Sequence, residues 1–192
     1  MKKIFLAASA LFFAATVFAQ TTTWKSDPNH SKLTFGITHL AISEVEGLFK
    51  TFETTVTATK PDFSDAVFEL KVQAASINTE VDMRDNHLKS ADFFDVATYP
   101  DFTFKSTGIK KAAAKDHYTL TGNLTMHGTT KPVSMDLWYR GTTTNPMSKA
   151  TTAGFQLTGK IDRSAFGIGP KYPPPMLSNE VMIKADGEFV KQ

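Results

Sequence analysis

The sequence predicts an all-β protein, about eight or nine antiparallel strands arranged as a sandwich or barrel. Three observations lead there. Apolar residues recur at every second position in segment after segment, Thr and Val crowd those segments, and Gly, Pro and Asn interrupt them at hairpin spacing. Successive side chains of a strand point to opposite faces, so period two marks a strand with one dry face and one wet face.

Ahead of the first strand the chain opens MKKIFLAASALFFAATVFAQ. Lys2 and Lys3 form a basic start, Ile4 to Thr16 an apolar run, and Val17-Phe18-Ala19 offers the small residues a signal peptidase reads. The expectation is a cleaved secretory signal over residues 1–19, one domain over 20–192, and a periplasmic or secreted protein. The apolar run falls short of the roughly 20 residues a spanning helix needs, which argues against a stable membrane anchor.

The strands follow in order. Leu33, Phe35 and Ile37 alternate with Lys32, Thr34 and Thr38. In the next segment Gly47 and Phe49 share one parity, while Phe52, Thr54, Val56 and Ala58 share the other, which predicts a bulge or bend near Lys50 and Thr51. Ala66, Phe68, Leu70, Val72 and Ala74 form the cleanest inward face, opposite Glu69, Lys71 and Gln73. Glu80 to Phe94 breaks the pattern: Val81, Leu88, Ala91, Phe93 and Phe94 fit short helical turns, a helical insert between two strands. Phe102 and Phe104 resume the alternation; Tyr118, Leu120, Leu124 and Met126 continue it, and HGTTKP reads as the hairpin connection to Val133, Met135, Leu137 and Tyr139. After the polar link TTTNPMSKA come Phe155, Leu157 and Ile161, then Val181, Ile183, Ala185 and Phe189.

Composition excludes several function classes. Without Lys2 and Lys3 the 21 Lys and Arg fall to 19, against 19 Asp and Glu, so no net charge steers the protein to nucleic acid. Zero Cys rules out disulfides, cysteine nucleophiles and thiolate metal sites. No G-x-S-x-G elbow or phosphate-binding loop is present, and no carboxylate pair stands out.

Five His remain, His30, His39, His87, His117 and His127, without zinc-site spacing. His39 continues the inward parity of Phe35 and Ile37, as a core histidine or a polar contact at a cavity mouth. Arg84 and Asp85 read as a catalytic pair, a head-group clamp or, with the structural role favoured, an ion pair that ties the insert to the sheet, with Asp92 and Asp95 as further acceptors. Asp162 and Arg163 raise the same choice at the end of a strand. Either Arg84 or Arg163 is a candidate for a ligand's polar end.

The landmarks DPNHSKLTFGITHL, VEGLFKTF, ASINT, RDNHLKSADFFDVATYPDFTF, LTGNLTMHGTTKPV and IDRSAFGIG, in this order, resemble the YceI-like, polyisoprenoid-binding family from about Trp24 to the C-terminus. The resemblance implies a lipocalin-like, extended antiparallel β-barrel of about eight strands around a long apolar cavity. It also implies an isoprenoid lipid or isoprenoid quinone as bound ligand, with no other cofactor. Parity alone leaves open whether the inward residues fill a solid core or line a cavity; the resemblance favours the cavity.

The expected lining is Phe35, Ile37, Phe68, Leu70, Phe102, Leu124, Met135, Leu137, Phe155 and Ile183, with His39, Arg84 and Arg163 as polar candidates. The expected function is a non-enzymatic exported carrier or sequestering protein whose partner is the lipid. No catalytic residues or metal ligands are assigned, and a homodimer is compatible with the sequence. The rivals are an enzyme acting on a lipidic substrate at the barrel mouth and a solid-cored structural barrel.

Overall fold

The computed structural model describes residues 20–192, and the expected leader over residues 1–19 lies outside them. β1 (Thr22–His39) turns back into β2 (Ser43–Phe49) and β3 (Phe52–Ala58). β4 (Val67–Gln73) leads through a 3-10 turn at Ala74–Ser76 to the short β5 (Ile77–Asn78), and α1 (Asp82–Lys89) follows. β6 (Asp101–Lys111), β7 (His117–Met126), β8 (Thr129–Thr144), β9 (Thr151–Asp162) and β10 (Leu177–Lys191) complete the chain. None of the described helices is long and apolar enough to cross a membrane.

All ten strands belong to one antiparallel sheet, in the order β10-β9-β8-β7-β6-β4-β3-β1-β2-β5, and β10 also pairs with β1. That last pairing closes the sheet. β2 and β3 are two halves of one bent strand, and β4 and β5 of another, so the closed antiparallel barrel has 8 strands. A barrel of this size is wide enough for its own side chains or one slim guest.

The bend falls where the parity change predicts it. At the break between β2 and β3 the Lys50 and Thr51 amides donate to the carbonyl and Oγ of Ser76, each at 3.1 Å, so the facing strand bends at the same level. β1 is longer than its alternation suggests. It runs back from Leu33 through a bulge at Asp27–His30 to Thr22, and Trp24 is the buried residue of that first stretch. Pro28 has no N–H for a ladder, and the Asn29 amide turns onto the Asp27 carboxylate at 2.9 Å, so the bulge sits where pairing is weakest. Register shifts at Ser106/Gly108 and Tyr139/Gly141 add to the curvature.

Inside and outside separate as the alternation requires. In β7, Tyr118, Leu120, Leu124 and Met126 are buried, while Thr119, Thr121 and Asn123 are exposed. His117, on the outward parity, stacks on Trp138 and bonds the Asp136 carboxylate at 3.1 Å.

One end of the barrel is shut by a floor that periodicity did not reveal. The connection after β3 turns Phe63 inward, 2 % exposed, against Trp24, Tyr139 and Phe155, with ring centroids 5.3, 5.0 and 4.9 Å away. The Tyr118 hydroxyl donates to the Asp62 carbonyl at 2.6 Å and Lys111 pairs with the Asp62 carboxylate at 2.8 Å, which pins the connection. The barrel interior is therefore filled at this end.

Candidate functional site

Above the floor lies a cavity of about 510 Å³. The thirteen residues expected to meet a guest all line it: Phe35, Ile37, His39, Phe68, Leu70, Arg84, Phe102, Leu124, Met135, Leu137, Phe155, Arg163 and Ile183. The inward parity of facing strands converges here because strand pairing brings like faces together: Phe35 lies opposite Ile183, Leu70 opposite Phe104 and Leu120 opposite Met135. The wall is overwhelmingly apolar. Ser31, Lys32, Thr34, Thr54 and Asp186 also reach the lining, on β1 and beside its bulge, and the remaining polar residues gather towards the covered end.

The cover is the insert. It runs from Glu80 to Asp95, both with positive φ, 64° and 44°, where the chain turns sharply off the sheet and back. Leu88, Phe93 and Phe94 point into the cavity, and the Phe94 ring meets Phe49 edge-on at 5.8 Å. A second segment, the connection between β9 and β10, closes over the insert. Its Tyr172 ring stacks on Phe93 with centroids 5.0 Å apart, and its hydroxyl lies 3.1 Å from His87 Nε2. Lys171 donates to the Asp92 carboxylate at 2.6 Å, and His87 is 3.5 Å from the other oxygen of that carboxylate. The hydrogen bond from Lys171 holds the Asp92 carboxyl below the usual carboxylate value; the cost of burial opposes this and His87 reinforces it. Gly169 makes the close approach possible: any Cβ there would stand 2.7 Å from the Phe93 ring, and its φ of +63° favours glycine in any case.

Arg84 and Asp85 do not form the ion pair expected of them. Both turn to Thr79 at the end of β5. Asp85 Oδ1 accepts from the Thr79 amide at 2.8 Å and from its hydroxyl at 2.6 Å, while Arg84 donates from Nε to Thr79 Oγ1 at 2.7 Å and from Nη2 to the Thr79 carbonyl at 2.8 Å. Thr79 is 6 % exposed, and one hydroxyl that both donates and accepts lets it bind two partners of opposite charge. Asp92 and Asp95 are not acceptors for Arg84 either: Asp92 is taken by Lys171 and His87. Arg84 lines the cavity at its covered end, and among the described residues its Nη1 has no protein acceptor.

Arg163 differs. It is 4 % exposed, and Nε, Nη1 and Nη2 together donate to the carbonyls of Ser178, Ile168, Gly169, Tyr172 and Leu177. That accounts for every N–H a guanidinium has. The residue lines the cavity, and its charged end holds the cover segment in shape. Asp162 caps the 3-10 turn beginning at Arg163, accepting from the Ser164 amide at 2.9 Å and its hydroxyl at 2.6 Å. His39 is exposed at the end of β1 and touches the cavity at its mouth, between the β1–β2 turn, α1 and the segment ending at Leu177. Among the described residues no group of three His, Asp or Glu could hold a metal ion.

Tyr172 and Thr79 were not foreseen as site residues. Tyr172 lies in a Pro-rich stretch with no period, and Thr79 resembles any other strand Thr until its two partners are seen.

Fold and site together define a small antiparallel β-barrel with one floored apolar cavity beneath a helical cover. The YceI-like domain model matches residues 24–189, and the chain belongs to that family. It is 34 % identical over 183 residues to protein YceI of Salmonella newport, covering 95 % of this chain and 94 % of that one. Among solved structures it is similar to BcnA of Burkholderia cenocepacia, with TM-score 0.76, 26 % identity and coverage of 85 % and 98 % of the two chains. It is also similar to Campylobacter jejuni YceI, with TM-score 0.72, 31 % identity and coverage of 81 % and 90 %. A polyisoprenoid-binding domain from Saccharophagus degradans has the same fold, with TM-score 0.68 at 13 % identity, over 90 % of this chain and 100 % of that one.

Proposed function

We propose that this protein is an exported, non-enzymatic carrier or sequestering protein for a polyisoprenoid, such as an isoprenoid lipid or the tail of an isoprenoid quinone. The observation that carries the reading is the apolar cavity of about 510 Å³, within the roughly 300–1,000 Å³ typical of small-molecule sites. A solid-cored barrel would have no such space. Each CH₂ moved from water into it contributes about 0.8 kcal/mol, so a branched hydrocarbon tail binds firmly without an ionic contact. Membership of the YceI-like family supports the same reading, as does a fold shared with a domain named for polyisoprenoid binding. The leader-like start supports export to the periplasm or beyond.

The tail lies between β1, β4 and β6–β10, and the head group lies at the covered end beside Arg84. Arg163 holds the wall and makes no polar contact with the guest. The test is to purify the protein after expression in a bacterium that makes quinones and prenols, denature it, extract with organic solvent and weigh the extract by mass spectrometry. A stoichiometric isoprenoid is expected. A reproducibly empty protein that also takes up no added quinone or prenol overturns the proposal. Ala185→Phe places a ring in the cavity and is expected to lower uptake about tenfold with the fold intact.

A further inference from the structure

Among the described residues, five of the eight exposed large apolar side chains lie around the mouth, and Val67, Met147 and Met182 lie elsewhere. Of those at the mouth, Ile42 is 85 % exposed and Met83 81 %, followed by Leu40, Met176 and Val81. Leu40 and Ile42 sit in the β1–β2 turn, Val81 and Met83 at the start of α1, and Met176 just ahead of β10. These are the three segments whose neighbouring residues His39, Arg84 and Leu177 line the cavity, and Met176 itself belongs to both rim and lining. The Leu40 amide donates to the Met176 carbonyl at 3.0 Å, so two of the three segments are tied together.

The turn is built at a cost in strain. The Ile42 amide closes it onto the His39 carbonyl at 3.2 Å, and both central residues, Leu40 and Ala41, have left-handed φ of 51° and 60°. That geometry ordinarily selects Asn-Gly. Here it carries apolar residues with side chains, and the result is Leu40 and Ile42 held out into solvent. Apolar groups that neither fold the chain nor suit their own turn need another surface.

The charges say which surface. Between His39 and Glu46, and between Glu80 and Met83, there is no Lys or Arg, while Glu44, Glu46, Glu80 and Asp82 are exposed; of the cations beside the rim, Arg84 is bound to Thr79 and Lys171 is paired with Asp92. An anionic bilayer would be repelled; an uncharged one would not. We infer that the rim formed by Leu40, Ile42, Val81, Met83 and Met176 docks the barrel, mouth down, on a zwitterionic lipid bilayer. Resting on the carrier reading, this gives the guest a path from bilayer to cavity that never crosses water.

The test is flotation of the purified protein with guest-free vesicles of phosphatidylcholine and phosphatidylethanolamine, for wild type, the double variant Ile42→Ser/Met83→Ser, and Met147→Ser. Met147 is 91 % exposed in the β8–β9 connection, at the floor end. Wild type and Met147→Ser are expected to float, the double variant to lose about tenfold or more in partition, and added phosphatidylglycerol to weaken binding. Equal flotation of wild type and double variant, tighter binding to the anionic vesicles, or no wild-type binding overturns the inference; the last would leave the rim to a protein partner. Loading each protein with a prenol from detergent micelles tests the carrier reading separately. Wild type that loads from micelles but ignores vesicles sinks the rim alone, whereas wild type that floats but never loads supports the rim and sinks the carrier.

Discussion

The ring of Phe93 lies on the ring of Tyr172, planes 14° apart and centroids separated by 5.0 Å. The two residues come from the insert after β5 and the connection before β10, and their stack joins the two pieces of the cover. A guest that leaves at this end passes the two rings. Tyr172→Ala is therefore expected to speed release of a bound prenol about tenfold, and Tyr172→Phe, which keeps the stack and loses the bond to His87, by clearly less. Stopped-flow displacement of a fluorescent prenol measures both. Equal rates for all three proteins would remove the stack from the exit path.

The Lys171–Asp92 pair gives the cover a pH window. Its hydrogen bond lowers the Asp92 carboxyl from the ordinary 3.8 and raises the Lys171 ammonium from 10.5. A carboxyl lowered in the folded state contributes above its ordinary value and stops contributing as pH falls through the lowered one. A raised ammonium contributes below its ordinary value and stops as pH rises through the raised one. Through this pair, release is expected to quicken in strong acid. The pair is exposed and solvent-screened, so Asp92→Asn should speed neutral release only about twofold while flattening its part of the acid limb. Release rates across the pH range, for wild type and variant, decide it.

The two arginines are expected to separate by phenotype. Arg163→Met strips five carbonyls of their donor inside the fold, which should cost about 3 kcal/mol and lower Tm by about 10 °C. Arg84→Met leaves the Thr79–Asp85 bonds in place, so its Tm should fall by only about 3 °C while affinity for a quinone or prenol drops. Thermal unfolding and ligand titration of both variants check this. Reversed phenotypes would exchange the roles assigned to them.

Phe63 is the floor. Phe63→Ala removes a ring with three aromatic neighbours and opens that end of the barrel, and about 3–5 kcal/mol of stability is expected to go with it. Urea unfolding measures the loss.

By itself the sequence determined which residues face inward. Phe35, Phe68, Leu124 and Phe155 were placed by a period of two that needs no knowledge of the partner strand, because the backbone alone fixes successive side chains to opposite faces. The change of parity at Lys50 and Thr51 and the helical character of the insert were legible for the same local reason. The tertiary structure decided what no period encodes. The β10–β1 pairing that closes the barrel joins the first and last described strands, and Phe63 becomes a floor only when Trp24, Tyr139 and Phe155 surround it. Arg84 and Arg163 look alike as residue types, yet among the described residues one is bound to a single threonine and lines the cavity with Nη1 unpaired, while the other has spent every donor on carbonyls 5 to 15 residues away. A hydrogen bond depends on distance and direction in space, and those are set only once the sheet has closed.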